Sequence, residues 1–268
     1  MSGKNDMSVY DFEKYKFDKR HVTDVFNEYV KAYDAENPKV ALKISHTGRV
    51  AAISRDIAKS LNLSEAEADF AWLAGMLHDI GRFEQLRRYN TFADAKSVDH
   101  ALLGCEILFN DGLIRRFTED DSLDDLLRTV IGNHSVYILP DLDDTEKMFA
   151  QILRDADKID IFRVQIDTPM SEIYDVSEYD LTHSSVTEAV MESFFEKHAT
   201  KRSLKQSPVD YVVGHISLAF ELVYPRSRQI AREQGYLEKL MLFETHDEKA
   251  KKQLKEVYDF MHEWLDNN

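Results

Sequence analysis

Six side chains in this sequence combine residue type and spacing in a way that suits metal chemistry: His46, His78, Asp79, His100, His134 and Asp157. Periodicity places them on five predicted helices, with the side chains turned inward. His46 shares a helix face with Val50, Ile53 and Ile57, His100 with Leu103, Gly104 and Ile107, and His134 with Leu127, Val130 and Ile131. His78 follows a strip of small residues, Ala71, Ala74 and Gly75, that would let a neighbouring helix come close. Asp157 follows Ala150 and Leu153 and precedes Ile161, so a carboxylate intrudes on an apolar stripe. A buried carboxylate is costly without compensating charge, and inward imidazoles beside it form a donor set that a divalent cation would satisfy. His198, after Met191, Phe194 and Phe195, and His215, before Leu218, Ala219 and Leu222, pass the same test of spacing. A histidine on an apolar face is more often a hydrogen-bonded core residue than a ligand, so periodicity alone does not choose among them.

The dipeptide His-Asp occurs twice, at 78–79 and at 246–247. The second copy precedes a strongly charged stretch and reads as a helix start. The first ends an apolar helix in the run Ala-Gly-Met-Leu-His-Asp-Ile-Gly-Arg-Phe-Glu. Taken with His46 in Ser-His-Thr-Gly-Arg-Val, His100 in Ser-Val-Asp-His-Ala, His134 in Gly-Asn-His-Ser and Asp157 in Arg-Asp-Ala-Asp-Lys-Ile-Asp, it resembles the signature of the HD superfamily. The resemblance covers about residues 40–165. It implies an all-α fold, an HD-domain-like helical bundle with additional C-terminal helices, and the activity of a metal-dependent phosphohydrolase.

In that superfamily an early His, the His-Asp pair and a late Asp collect around one metal, and two further histidines often hold a second. The implied metal ligands are therefore His46, His78, Asp79, His100, His134 and Asp157, around one or two divalent ions. Asp157 is chosen over Asp155 because the family's pattern puts the ligand directly before the Lys. Nitrogen and oxygen donors with no thiolate favour octahedral Mn, Fe, Mg, Co or Ni over a closed tetrahedral zinc site. With Asp79 bridging two ions, as the resemblance implies, water held there would be acidified into a nucleophile while the ions bind phosphate oxygens. Arg82, in the place of a Lys found in one HD subgroup, could neutralise phosphate charge or be an ordinary surface cation. Glu84 is a candidate general acid or base, or a partner for Arg82. Lys158 could contact phosphate or lie on a solvated helix surface. Arg226 and Arg228 could close over an anionic substrate or belong to a loop or helix end.

The segments that carry these groups are predicted to be helices. Patterning predicts helices over 18–33 and 39–61, the latter opened by Asn37-Pro38. Ser64 with Glu65 and Glu67 starts a third over 66–80 that Gly81 ends, so His78 and Asp79 fall in its last turn. A loop is predicted over 89–97, helices over 99–110 and from a Ser122 cap through His134, and another over 145–162. A polar interval at about 169–185 reads as a domain boundary or an active-site loop, followed by helices over 186–198, 208–223 and 246–265. No segment alternates like a strand. The expectation is a single HD-type helical domain over 1–268, with a metal-binding core at about 39–165 and a C-terminal helical extension at about 186–266.

The 268 residues carry a net charge of −15, which repels a nucleic-acid polymer but suits a small anion held in a metal-lined pocket. The only cysteine, Cys105, excludes an intramolecular disulfide and a cysteine-cluster zinc site, and points to a reducing, cytoplasmic setting. Neither a signal-like start nor an apolar run near the length of a membrane span is present, so no membrane partner is expected. Three functions fit. The first is hydrolysis of a small phosphorylated substrate, a nucleotide or related phosphomonoester or diester, by a metal-activated water. The second is a nucleotide-binding or sensing module with a structural metal and no turnover. The third is a helical interaction protein without a site.

Overall fold

The computed structural model describes residues 10–34, 36–174 and 176–268, and among them every regular element is helical. The chain divides into two compact units, Met1–Ala156 and Asp157–Asn268. No described helix is long and apolar enough to cross a membrane.

The first unit contains α1 (Lys19–Val30), α2 (Pro38–Ser60), α3 (Glu65–Leu77), α4 (Ile80–Tyr89), α5 (His100–Cys105), α6 (Ile114–Phe117), α7 (Asp124–Gly132) and α8 (Asp144–Asp167) up to Ala156. Local chemistry accounts for the starts. Asn37 accepts from the Lys39 N–H ahead of Pro38 in α2, and Ser64 and Glu67 form a reciprocal capping box on α3. The unit's core includes Ile57, Phe70, Leu73, Leu77, Phe83, Phe117 and Phe149, all essentially inaccessible to solvent. Rings of Phe12, Phe70 and Phe149 meet at centroid separations of 4.9 to 5.3 Å.

The strip of small residues on α3 finds its neighbour in α2. A Cβ added at Gly75 would lie 2.6 Å from the Ala51 Cα and 2.9 Å from its nitrogen, so only a glycine lets the two backbones approach this closely. That approach brings His46 on α2 towards His78 at the end of α3.

Three expected boundaries need correction. Gly81 does not end a helix: α3 stops at Leu77, His78 and Asp79 form the junction, and Gly81 lies in the first turn of α4. The left-handed stop falls instead at Asn90, with φ of 52°. Ser122 is not a cap, because α7 begins behind Leu123, and His134 stands two residues beyond the end of α7. The helix expected to run to Asn110 is α-helical only through Cys105 and continues as a π-helical turn over Glu106–Asn110.

The second unit continues α8 from Asp157 and adds α9 (Met170–Tyr174), α10 (Glu178–Thr182), α11 (Glu188–Phe195), α12 (Pro208–Ile216), α13 (Pro225–Gln234), α14 (Tyr236–Met241) and α15 (Glu248–Asp266). The interval at 169–185 thus carries two short helices and lies inside this unit. The second His-Asp pair starts a helix, as its charged context implies: Asp247 caps α15 by accepting from the Ala250 N–H at 2.7 Å. Helices α13 and α14 escaped the pattern reading. α13 buries only Ser227, Ile230 and Ala231, too narrow a stripe to register, and the positive-φ Gly235 separates it from α14.

Gly75→Ala is expected to lower stability by about 1–3 kcal/mol through overpacking against the Ala51 backbone. Gly48→Ala, on the same α2 but with open space at its Cβ position, should leave stability unchanged or slightly raised. The midpoints of urea unfolding curves separate the two cases.

Candidate metal centre

The junction between α3 and α4 sets the geometry. His78 closes α3 with helical φ and ψ, and Asp79 then turns the chain into α4 from the N-cap position without using its side chain as a cap. Its carboxylate is thereby turned into the interior, where Asp79 is 2% exposed. His46, His78, His100 and His134 are each buried around it.

The two carboxylate oxygens face different pairs of imidazoles. Oδ2 lies 3.6 Å from His46 Nε2 and 3.5 Å from His78 Nε2. Oδ1 lies 3.6 Å from His100 Nε2 and 3.9 Å from His134 Nε2. These separations exceed hydrogen-bond lengths. Two triads result, His46–His78–Asp79 and Asp79–His100–His134, in each of which the potential ligand atoms lie within 4.8 Å of one another. Asp79 belongs to both.

The outer nitrogens fix the tautomers. His78 Nδ1 donates to the Gly75 carbonyl at 2.8 Å, His134 Nδ1 to the Ile131 carbonyl at 2.7 Å, and His100 Nδ1 to Asp94 Oδ2 at 2.8 Å. With the proton on Nδ1, each Nε2 presents a lone pair to the cluster, the arrangement of a metal-ligating histidine with its outer hydrogen bond. His100 Nε2 and His134 Nε2 stand 3.0 Å apart, two such lone pairs converging on one place. Burial, followed by the Arg82 charge, pushes the His100 imidazole down to about 4 despite the pull of Asp94, so it is neutral at physiological pH and able to donate its lone pair. Burial alone would raise the Asp79 carboxyl, yet Lys43, with His78, Arg82 and His100, holds it well below the usual carboxylate range. A buried anion facing four imidazole nitrogens, with no thiolate among them, fits one or two divalent cations.

Several residues around the cluster were not singled out in the sequence. Lys43 Nζ lies 2.7 Å from Asp79 Oδ2. Its signal was available, since it precedes His46 by three residues on α2. Asp94 receives Arg82 Nη1 at 2.9 Å and Gln85 Nε2 at 2.8 Å in addition to His100, and so ties the loop after α4 to the cluster. Burial opposes its ionisation, but the hydrogen bond from His100 and the Arg82 charge hold Asp94 below the ordinary carboxylate range. Arg154 on α8, which is buried, donates through Nη1 to the carbonyls of Asn133, His134 and Val136 and so fixes the irregular segment that carries His134. Nothing in a linear pattern marks a guanidinium that serves carbonyls some 20 residues away.

The other candidates fall as follows. Arg82 directs Nε towards Asp79 Oδ1 at 3.6 Å, while Nη1 is held by Gln85, Asp94 and the Phe92 carbonyl. Glu84 does not join the cluster and does not pair with Arg82. Its carboxylate is taken by Arg88, by Arg87 at 2.5 Å and by the Tyr33 hydroxyl at 3.2 Å. Burial raises its carboxyl, but these arginines pull it to a net position below the usual range, opposite to what a general acid at neutral pH needs. Asp155 is fully buried and accepts from Gln151 at 2.8 Å. Asp157 and Lys158 lie on the part of α8 that belongs to the second unit, Asp157 half-buried and Lys158 buried. In the same unit, Arg226 pairs with Glu233 at 3.2 Å, and Arg228 donates to the Leu222 and Val223 carbonyls.

Comparison with known families agrees with this geometry. The HD domain family matches residues 44–161, a span that holds both triads and Asp157, so this stretch of the chain is similar to an HD domain. Neither a curated protein nor a solved structure matches the chain.

Asp94→Asn keeps the shape but weakens the charged acceptor behind His100, and is expected to reduce divalent-metal affinity roughly 10- to 100-fold. Calorimetric titration of Mn into the metal-stripped protein measures it.

Proposed function

We propose that this protein hydrolyses a small phosphorylated substrate, a nucleotide or a related phosphomonoester or diester. One observation carries the reading: a single buried carboxylate, Asp79, addresses a histidine pair with each of its oxygens. His46, His78 and Asp79 would hold one ion and Asp79, His100 and His134 a second, with Mn, Fe, Mg, Co or Ni suited to the donors. Bound there, divalent cations supply Lewis acidity, lowering the pKa of water and drawing charge from phosphoryl oxygens.

The chain's own residues supply orientation and charge. The Gly75 and Ile131 carbonyls and Asp94 keep protons on the outer ring nitrogens, so that Nε2 of His78, His134 and His100 stays available to the cluster. Lys43 and Arg82 put positive charge beside Asp79 and would offset the negative charge of an incoming phosphoryl group. Asp157 is proposed as a further ligand and Lys158 as a phosphate contact, supported by the family match that runs through both positions. The net charge of −15 favours a small anion over a nucleic-acid polymer as substrate.

Purified protein loaded with Mn and assayed for phosphate release against nucleotides, cyclic nucleotides and sugar phosphates should turn over at least one of them. A chelator, His78→Ala and Asp79→Ala should each bring the rate to background. Full activity in either variant would sink the proposal. Calorimetric binding of a nucleotide without turnover would replace it with a sensing module built on the same centre.

A further inference from the structure

The second His-Asp pair brings another imidazole with it. His246, just ahead of α15, meets His183, just behind α10, with ring centroids 4.9 Å apart and the planes tilted by 41°. Both residues are exposed. The spacing suits shared coordination. An imidazole nitrogen binds a first-row ion at roughly 2.0–2.1 Å, so two rings on one ion at a tetrahedral angle have centroids about 5 Å apart. His100 and His134, which face the same oxygen of Asp79, are likewise 4.9 Å apart.

Each ring is held in place by its own surroundings. His183 stacks on the Tyr179 ring at 4.0 Å and an interplanar angle of 13°, and its Nδ1 donates to the Tyr179 carbonyl at 3.0 Å. With the proton on Nδ1, the lone pair on Nε2 is left for an ion, the same use of a main-chain carbonyl that His78 and His134 make of Gly75 and Ile131. His246 is placed by its backbone. Its N–H donates to the Thr182 carbonyl at 2.7 Å, and the Thr245 hydroxyl donates to the same oxygen at 2.8 Å. The segment before α15 is thereby tied to the residue that adjoins His183. Among the described residues, the ring nitrogens of His246 have no hydrogen-bond partner. The neighbouring carboxylate of Asp247 is spent on the Ala250 N–H at 2.7 Å. The donors on offer are thus two imidazoles, which suit Cu, Ni and Zn, whereas Mg and Ca take oxygen.

We propose that His183 and His246 form a surface site for one imidazole-preferring transition ion, Cu(II), Ni(II) or Zn(II), with water completing its coordination. The inference does not rest on the hydrolase reading, since neither histidine belongs to the cluster around Asp79.

The test is titration of Cu(II) into the isotope-labelled full chain, followed through the paramagnetic broadening of backbone amide signals, which locates the ion whatever the buried centre holds. Amides of Thr182, His183 and His246 should broaden at lower Cu(II) than those around His198, an exposed imidazole with no ring contact to another histidine among the described residues. Zn(II) should restore the signals by competition, and Mg(II) should not. His246→Gln keeps the main-chain anchor on Thr182, so the fold is preserved, and should raise the Cu(II) required at least roughly tenfold, as removal of a partner at a metal site does. Folded Asp79→Ala should respond at these amides as wild type does. Absence of broadening there, equal broadening around His198, restoration by Mg(II), a wild-type response in His246→Gln, or loss of the response in folded Asp79→Ala would overturn the proposal.

Discussion

Asp79 carries its negative charge at 2% exposure, and the surrounding structure of the first unit follows from keeping that charge tolerable. Isolated in an apolar interior, a carboxylate would sooner take up a proton than stay ionised. Lys43 at 2.7 Å and Arg82 at 3.6 Å prevent this, and the four imidazoles surround it with nitrogens that a cation can draw together. The cluster is thus an ionised carboxylate, already balanced by two cations, that faces four imidazole nitrogens suited as donors to a divalent ion.

Placing those groups falls to backbone contacts more than to side-chain packing. Gly75 lets α3 settle onto α2, bringing His78 beside His46, and the break between α3 and α4 turns Asp79 inward instead of leaving it to cap a helix. His134 stands beyond the last turn of α7, where helical hydrogen bonds no longer hold the chain, and Arg154 supplies the missing donors to its carbonyls. A side chain carried on irregular backbone needs such a brace, whereas His46, inside α2, does not.

Much of this could be read from the order of residues alone. The clustered residues His46, His78, Asp79, His100 and His134 stand in apolar contexts that periodicity exposes, and the two His-Asp pairs are separable because one ends an apolar helix and the other opens a charged one. What escaped had a different physical origin. Gly81 looked like a helix stop because glycine often is one, while here it serves a close crossing of helices, and a partner far off in the chain leaves no local trace. Glu84 was a candidate by proximity to Asp79 along the sequence, but a position five residues on points elsewhere on the helix, towards Arg87, Arg88 and Tyr33. Asp94 and Arg154 act through hydrogen bonds to groups that only the folded chain brings near, and α13 has too little apolar surface for its period to show.

The contact between α4 and α5 has a wider consequence. A Cβ on Gly81 would fall 2.2 Å from the His100 carbonyl oxygen and 2.6 Å from the Gly104 nitrogen, so the helix that follows Asp79 and the helix that begins with His100 touch main chain to main chain. The interval between the two triads is therefore gauged by peptide groups, which have fixed dimensions, and not by side chains, which can repack. Substitutions elsewhere in this core can drift without altering how far apart two ions would sit. That leaves the placing of His100 relative to Asp79 a constant of the scaffold, and leaves variation in chemistry to the loops and side chains around it.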